Sequence, residues 1–275
     1  MGLVEVIILA VVQGLTEFLP VSSSGHLVVA NTLLVALGYP PAEDLLEVEI
    51  ILHLGTLLAI FIYFWRPVWQ LVTRGWRLIP LLAVGTIPAV VIGLPLKEYA
   101  TDWLENPLLA GCMFPVTAAL LIWGARQPEG STSYRDLTYG GAVKIGLLQA
   151  AALLPGVSRS GATIVGGLVC ALDRRSAGTF AFLLAIPAIG GAGLLEVLKL
   201  VKRSHAALAG EASATFAATT TDPLTLVIGA LVAMAVGLFA LWWLLKWVQQ
   251  GRLALFAWYL VPLGVAVVVW QLMAG

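Results

Sequence analysis

The chain has 275 residues, of which 60% are hydrophobic and only 11% charged, with a mean hydropathy of +0.97. Soluble domains carry about 25% charged residues, so this is the composition of a polytopic membrane protein. Fifteen basic residues balance fifteen acidic ones, which excludes the basic footprint of a nucleic-acid binder.

The first apolar stretch, 3–18, has neither the basic start nor the small-residue cleavage site of a signal peptide, and it reads as part of the fold. A second short stretch, 23–38, follows across "LPVSSSG" (19–25). Neither reaches the roughly 20 residues a spanning helix needs. Proline ends a helix and serine starts one, so the pair is predicted to be a helical hairpin that enters the membrane and turns back. Spans are then predicted at 47–65, 76–96 and 107–125. Trp65, Trp69 and Trp76 cluster near one boundary, as interfacial aromatics do. The pattern recurs: short stretches at 143–154 and 159–172, joined by "LPGVSRSG" (154–161), precede spans at 178–200, 223–246 and 253–273. The Ala-, Thr-, Ser- and Gly-rich segment 204–221 reads as a flexible loop. Cys112 and Cys170 each sit in an apolar run, as small buried hydrophobes rather than a disulfide or metal pair.

Ser22, Ser24 and Gly25 match Ser158, Ser160 and Gly161, and Gln13 and Gln149 occupy similar places upstream. The expected fold is therefore an all-α polytopic membrane protein with six spanning helices. One membrane domain, 1–275, consists of repeat one, about 1–126, and repeat two, about 140–275. Each repeat is a re-entrant hairpin plus three spans. Three is odd, so the second copy starts from the opposite side and the repeats are inverted, an arrangement whose broken helices meet near the midplane at the functional site. Arg66, Arg74, Arg77, Arg126, Arg135, Arg174, Arg175, Lys246 and Arg252 fall on one side, against Lys97, Lys199, Lys202 and Arg203 on the other. The first side is expected to be cytoplasmic. Both termini and the acidic 43–49 stretch then lie outside, and the first hairpin opens outward.

Ionisable residues at membrane depth are costly and mark function by default. Glu17, His26 and Arg159 lie in or beside the two breaks. Helix N-termini at Ser22, Ser23 and Ser24 and at Ser158 and Ser160, with Arg159 between, would form an anion site suited to phosphate or diphosphate; plain N-capping is the duller role for these serines. Gln13 and Glu17 share a helix face. A carboxylate beside a phosphate needs a cation or proton between them. Glu17 could hold a divalent metal, act as a general base or orient a histidine. His26, within a turn of Ser22 and Ser23, could take a serine proton, attack phosphorus itself or protonate the leaving oxygen. Glu49 and His53 share a face and would either line the cavity as an acid–base pair or sit at its outer mouth.

"QGLTEFLPVSSSGH" and "LPGVSRSGAT" resemble the two signature motifs of the undecaprenyl-diphosphate phosphatase family, also called the bacitracin-resistance family. "HLGTLLA" and "FLLAIP" (182–187) are similar as well, and the length and span order fit throughout. The resemblance implies an integral enzyme of the bacterial cytoplasmic membrane with its site open to the outer face. It would hydrolyse undecaprenyl diphosphate to undecaprenyl phosphate and inorganic phosphate, recycling the lipid carrier of peptidoglycan synthesis and giving tolerance to bacitracin. It implies a divalent metal cofactor, Mg²⁺ or Ca²⁺, and catalytic roles for Glu17, Ser23, His26 and Arg159. Gln13, Ser22, Ser158, Ser160 and Thr163 would surround the diphosphate. Position 13 is glutamine where some members carry a second glutamate. The expected partners are a long-chain prenyl diphosphate and membrane lipids, with no nucleic acid; a second copy of the chain, forming a homodimer, is the one protein partner considered. The rival reading is an inverted-repeat transporter or flippase for a phosphate-bearing lipid or anion.

Overall fold

Helices stop in this chain where proline, glycine or a capping side chain interrupts an apolar run. A computed structural model describes residues 1–39, 45–73, 75–104, 106–208 and 221–274; Arg74, Glu43, Asp44 and most of the 204–221 segment lie outside the described residues. Among the described residues the architecture is all α, without strands.

Helices α1 (Leu3–Phe18) and α2 (Ser23–Ala36) form the first hairpin. α3 (Leu45–Tyr63) follows and breaks at Phe64 into α4 (Trp65–Thr73) with a bend of 76°. α5 (Leu78–Tyr99), the single turn α6 (Thr101–Leu104) and α7 (Pro107–Ala125) complete the first half. In the second half α8 (Tyr139–Ala151) and α9 (Arg159–Val169) form a hairpin, followed by α10 (Arg174–Leu208), α11 (Pro223–Gln249) and α12 (Ala257–Ala274). Among the described residues five helical stretches are long and apolar enough to cross a membrane, and the bent α3–α4 pair makes a sixth if it is one span. The chain is thus a multi-pass membrane protein.

Helices stand at every expected span and on both sides of each expected break, with the 47–65 span counted only when the bent α3–α4 pair is one span, and with differences at their edges. α8 begins at Tyr139, ahead of the expected 143, because the Thr138 hydroxyl caps it by accepting from the Gly141 N–H at 3.1 Å. α7 starts where expected because the Asn106 side chain accepts from the N–H groups of Leu108 and Leu109 and Pro107 needs no partner. α4 is a separate helix that the hydropathy pattern did not reveal. Its Trp65, Trp69 and Val72 are exposed, as an interfacial helix requires.

Each hairpin packs against the other half of the chain: α1 runs along α11 and α3, and α8 along α5. Small residues let these helices touch backbone to backbone, as they do where lipid removes the hydrophobic drive to associate. Gly14 lies against Ala233, Gly55 against Ala230 and Gly146 against Gly85. A core of Phe18, Phe64 and Phe182, with ring centroids 5.7 and 5.9 Å apart, lies beneath the break after α1.

The two breaks meet. Gly25 of the first faces the Gly156 N–H of the second, so closely that a Cβ on Gly25 would lie 2.9 Å from that nitrogen. Gly156 itself has φ +88°, and a Cβ there would lie 2.3 Å from the Ala110 carbonyl oxygen. Gly156→Ala is therefore expected to cost about 2 kcal/mol or more. Gly140, on α8 with open space around it, supplies the control. Thermal unfolding in detergent should show a lowered midpoint for Gly156→Ala and none for Gly140→Ala.

Candidate active site

The chemistry is set by how two half-helices are stitched together. Ser22, the N-cap of α2, is forced to φ +74°, a left-handed conformation that costs a non-glycine residue about 1–3 kcal/mol. Bonds from both hairpins hold it there. Its hydroxyl accepts from Gly25 N–H at 3.4 Å and from Gly156 N–H at 3.1 Å, and its carbonyl accepts from His26. Across the seam the Ser160 hydroxyl donates to the Leu19 carbonyl at 3.1 Å. Thr117 of α7 donates to the Gly156 carbonyl at 2.7 Å and accepts from the Ser158 N–H at 3.1 Å. Ser158 caps α9 through Gly161 N–H.

Glu17, in the last turn of α1, sits at the centre. Its side chain is 1% exposed, against 26% for Arg159. Arg159 Nη2 donates to Glu17 Oε1 in a direct ion pair. On Oε2, the Ser23 hydroxyl donates at 2.6 Å and Gln13 Nε2 at 3.1 Å, while His53 Nε2 stands 3.7 Å away. One carboxylate thus gathers groups from α1, α2, α3 and α9. Ser23, His53, Arg159 and Glu17 itself border a cavity of about 330 Å³, whose polar wall also includes Ser24 and Glu49. Its apolar wall includes Ile50, Leu153, Val157, Ile189 and Ala192.

The expected serine set divides in two. Ser23 and the exposed Ser24 face the cavity, whereas Ser158 and Ser160 are spent on backbone and on one another, and Ser22, though it borders the cavity, is committed to the seam. Thr163 donates back to the Arg159 carbonyl at 2.9 Å and borders a small hollow shared with Glu17 and Arg159.

The Ser23–His26 pair expected from spacing is not formed. His26 Nδ1 lies 2.7 Å from the Ser22 carbonyl, which can only accept, so that nitrogen carries the hydrogen. In the neutral ring Nε2 then accepts from the Tyr259 hydroxyl at 2.8 Å, and the imidazole stacks on the Tyr259 ring. His26 does not border the Ser23 cavity. The physical reason is competition for partners: the Ser23 hydroxyl donates to Glu17, while the Ser22 carbonyl and the Tyr259 hydroxyl occupy both ring nitrogens of His26. His53 likewise bonds the backbone carbonyl of Glu49, at 2.7 Å, and turns its other nitrogen toward Glu17. Thr117 and Tyr259 had no sequence signal: one is a lone hydroxyl in an apolar span, the other an aromatic near a helix start.

Among the described residues no three His, Cys, Asp or Glu side chains converge as metal ligands. Glu17 and Glu49 nevertheless border the same cavity. Two carboxylates with phosphate oxygens from a ligand are the usual donor set of Mg²⁺, so the residues fit a metal shared with substrate rather than one caged by protein.

A polytopic membrane protein whose two broken helices join around a buried carboxylate, a guanidinium and a hydroxyl is built for polar chemistry on an anion at membrane depth. The family model of bacitracin resistance protein BacA matches residues 6–266, and the chain belongs to that family. It is 46% identical over 270 residues to an undecaprenyl-diphosphatase of Rhodopirellula baltica, covering 98% of each chain. It is 37% identical over 272 residues to undecaprenyl-diphosphatase 4 of Bacillus thuringiensis strain Al Hakam, again covering 98% of each. With an undecaprenyl-diphosphatase of Carboxydothermus hydrogenoformans it shares 36% identity over 268 residues, 97% of each.

Removing one partner of a buried ion pair strands the other, whereas replacing both removes the desolvation cost as well. Arg159→Ala should destabilise the protein by about 3 kcal/mol, the low end for such pairs because Arg159 is partly exposed. The double variant Glu17→Gln with Arg159→Met should lose less. Denaturant unfolding of the two side by side checks the order.

Proposed function

We propose that this chain is an integral membrane phosphatase that hydrolyses undecaprenyl diphosphate to undecaprenyl phosphate and inorganic phosphate. The observation that carries the reading is the placement of Ser23: its hydroxyl already donates to Glu17, 2.6 Å away, in a cavity that also presents the Arg159 guanidinium. A hydroxyl bonded to a carboxylate is a nucleophile with its base in place. A partly exposed guanidinium can grip phosphate oxygens in a fork and offset charge in the transition state.

In this mechanism the terminal phosphate meets Arg159, Ser24 and the start of α2. Ser23 Oγ attacks phosphorus as its proton passes to Glu17, and the bridging P–O bond breaks to release the lipid monophosphate. Water then attacks the phosphoserine, the Ser23 oxygen recovers its proton from Glu17, and dihydrogen phosphate leaves. His53 and Gln13 hold the carboxylate in position. His26 acts through the Ser22 carbonyl, keeping the strained cap in register with Ser23. Glu17 and Glu49 would hold a Mg²⁺ or Ca²⁺ ion together with the diphosphate, and such an ion would neutralise charge on the leaving group.

The cavity borders Glu49, Ile50 and His53 near the start of α3 and Ala188, Ile189, Ala192 and Gly193 midway along α10, away in sequence from Arg66, just past the far end of α3, and from Arg174 at the start of α10. This supports a site open to the outer face of the cytoplasmic membrane, if the arginine-rich connections are cytoplasmic. The apolar wall gives the prenyl chain a route into lipid while the diphosphate stays among the polar groups.

Phosphate release from a long-chain prenyl diphosphate by the purified protein in detergent tests the reading. Wild type should turn over. Ser23→Ala and Glu17→Gln should each lose about a thousandfold or more in kcat, and labelled phosphate should be trapped on Ser23. No release by folded wild type with any divalent metal would sink the phosphatase reading in favour of transport. A Ser23→Ala variant retaining over about a tenth of the rate would replace serine attack with direct attack by water. Chelation should abolish release and added Mg²⁺ or Ca²⁺ restore it. Glu49→Gln should raise the metal concentration needed for half-maximal rate about tenfold, since one of two carboxylate ligands is lost.

A further inference from the structure

A second cavity, about 660 Å³ and thus twice the volume of the first, lies among α4, the turn that begins α5 and the single 3-10 turn Tyr134–Asp136. None of its lining residues borders the cavity around Glu17. Trp69, Gln70, Arg77, Tyr134, Arg135 and Asp136 line it. α4 turns 76° away from α3, so if α3 crosses the bilayer α4 lies close to the membrane plane. Its exposed Trp65 and Trp69 sit at headgroup depth on that account, and the Arg66 guanidinium stacks 5.3 Å from the Trp65 ring centroid.

Arg135 is held ready. It donates to the Gln70 side-chain oxygen, reaches the Tyr134 hydroxyl at 3.4 Å and lies 5.7 Å over the Tyr134 ring. These bonds use two of its five N–H donors. Arg77 has no hydrogen bond or ion pair among the described residues and opens onto the same space. Two guanidiniums and the Asp136 carboxylate leave the lining with one net positive charge. We propose that this cavity binds the headgroup of a glycerophospholipid: its phosphodiester, which carries a single negative charge, sits between Arg77 and Arg135, and Asp136 accepts a hydrogen bond from a donor on the rest of the headgroup. A glycerol hydroxyl or an ethanolamine ammonium supplies that donor, whereas choline has none. Trp69 packs against the glycerol backbone and first methylenes. Inorganic phosphate near neutral pH carries more charge than a phosphodiester, which the Asp136 carboxylate repels, and gains nothing from Trp69.

Delipidated full-length protein in detergent, titrated with phosphatidylglycerol, phosphatidylethanolamine or phosphatidylcholine and read by native mass spectrometry, tests this. The first two lipids should be retained at about tenfold lower concentration than the third, the value of one charge-assisted hydrogen bond. Arg77→Gln should weaken all three by a similar factor, and Asp136→Asn should erase the preference over choline. Arg135→Gln loses the Gln70 contact as well, so unchanged melting is required before its binding is read; Arg77→Gln has no such contact to lose. Phosphate release should be unaffected in Arg77→Gln and Asp136→Asn. Equal retention of the three lipids by wild type, or displacement of bound lipid by equimolar inorganic phosphate, would overturn the proposal.

Discussion

A carboxylate at membrane depth must be neutralised or bonded on every side, and Glu17 is the place where this chain meets that demand. Bringing a carboxylate from water to a low-dielectric interior costs several kcal/mol even after relaxation. No single helix could supply the compensation. The guanidinium comes from the second hairpin, the hydroxyl from the first, the amide from the carboxylate's own helix and the imidazole from α3. The packing of four helices is thus tied to one charge, and the same charge accepts the Ser23 hydroxyl's hydrogen bond.

The seam between the hairpins follows from that arrangement. For Arg159 to reach Glu17, two irregular turns must touch inside the protein, where their backbone groups cannot turn to water. Such backbone survives at membrane depth only when protein satisfies it. Ser22, Thr117 and Ser160 do so, each across a separation of 39 residues or more. Gly25 and Gly156 remove the side chains that would hold the turns apart. The strained cap at Ser22 is stored where the chemistry occurs, and His26, braced by Tyr259 on α12, steadies it. Arg159 and His53 both combine the buried Glu17 partner with partial exposure; in the proposed mechanism the guanidinium is the group that exchanges part of its bond to Glu17 for phosphate oxygens.

Placing the reacting groups inside a membrane protein suits an amphiphile. A diphosphate head needs donors and a wet cavity, while a prenyl tail needs lipid, and the cavity offers one wall of each kind. The opposite end of the molecule has a different relation to lipid. There α4 bends 76° from α3, which sets it and the Arg77–Arg135 cavity along the bilayer surface if α3 crosses the bilayer. The two polar cavities share no residue, so lipid held at one need not compete with chemistry at the other.

Composition alone determined that this is a membrane protein, because so few charges cannot clothe a soluble surface. Length and hydropathy placed the spans, and proline, glycine and serine placed both breaks within a few residues, because those residues act locally on backbone and caps. Glu17 and Arg159 stood out as candidates because a charge in an apolar run has no inexpensive explanation, and Ser23 as one of three serines at a break. Their partners did not. Spacing within α2 put His26 within a turn of Ser22 and Ser23, where it could take a serine proton among other roles, but Ser23 donates to Glu17 while His26 bonds the Ser22 carbonyl and Tyr259, 233 residues away. Thr117 and Tyr259 carry no periodic or compositional mark that separates them from ordinary span residues, and the tryptophans of α4 marked a membrane boundary without revealing a separate helix. Only the tertiary structure decided those roles, because a hydrogen bond between distant segments depends on where helices cross, and a one-dimensional pattern does not contain that crossing.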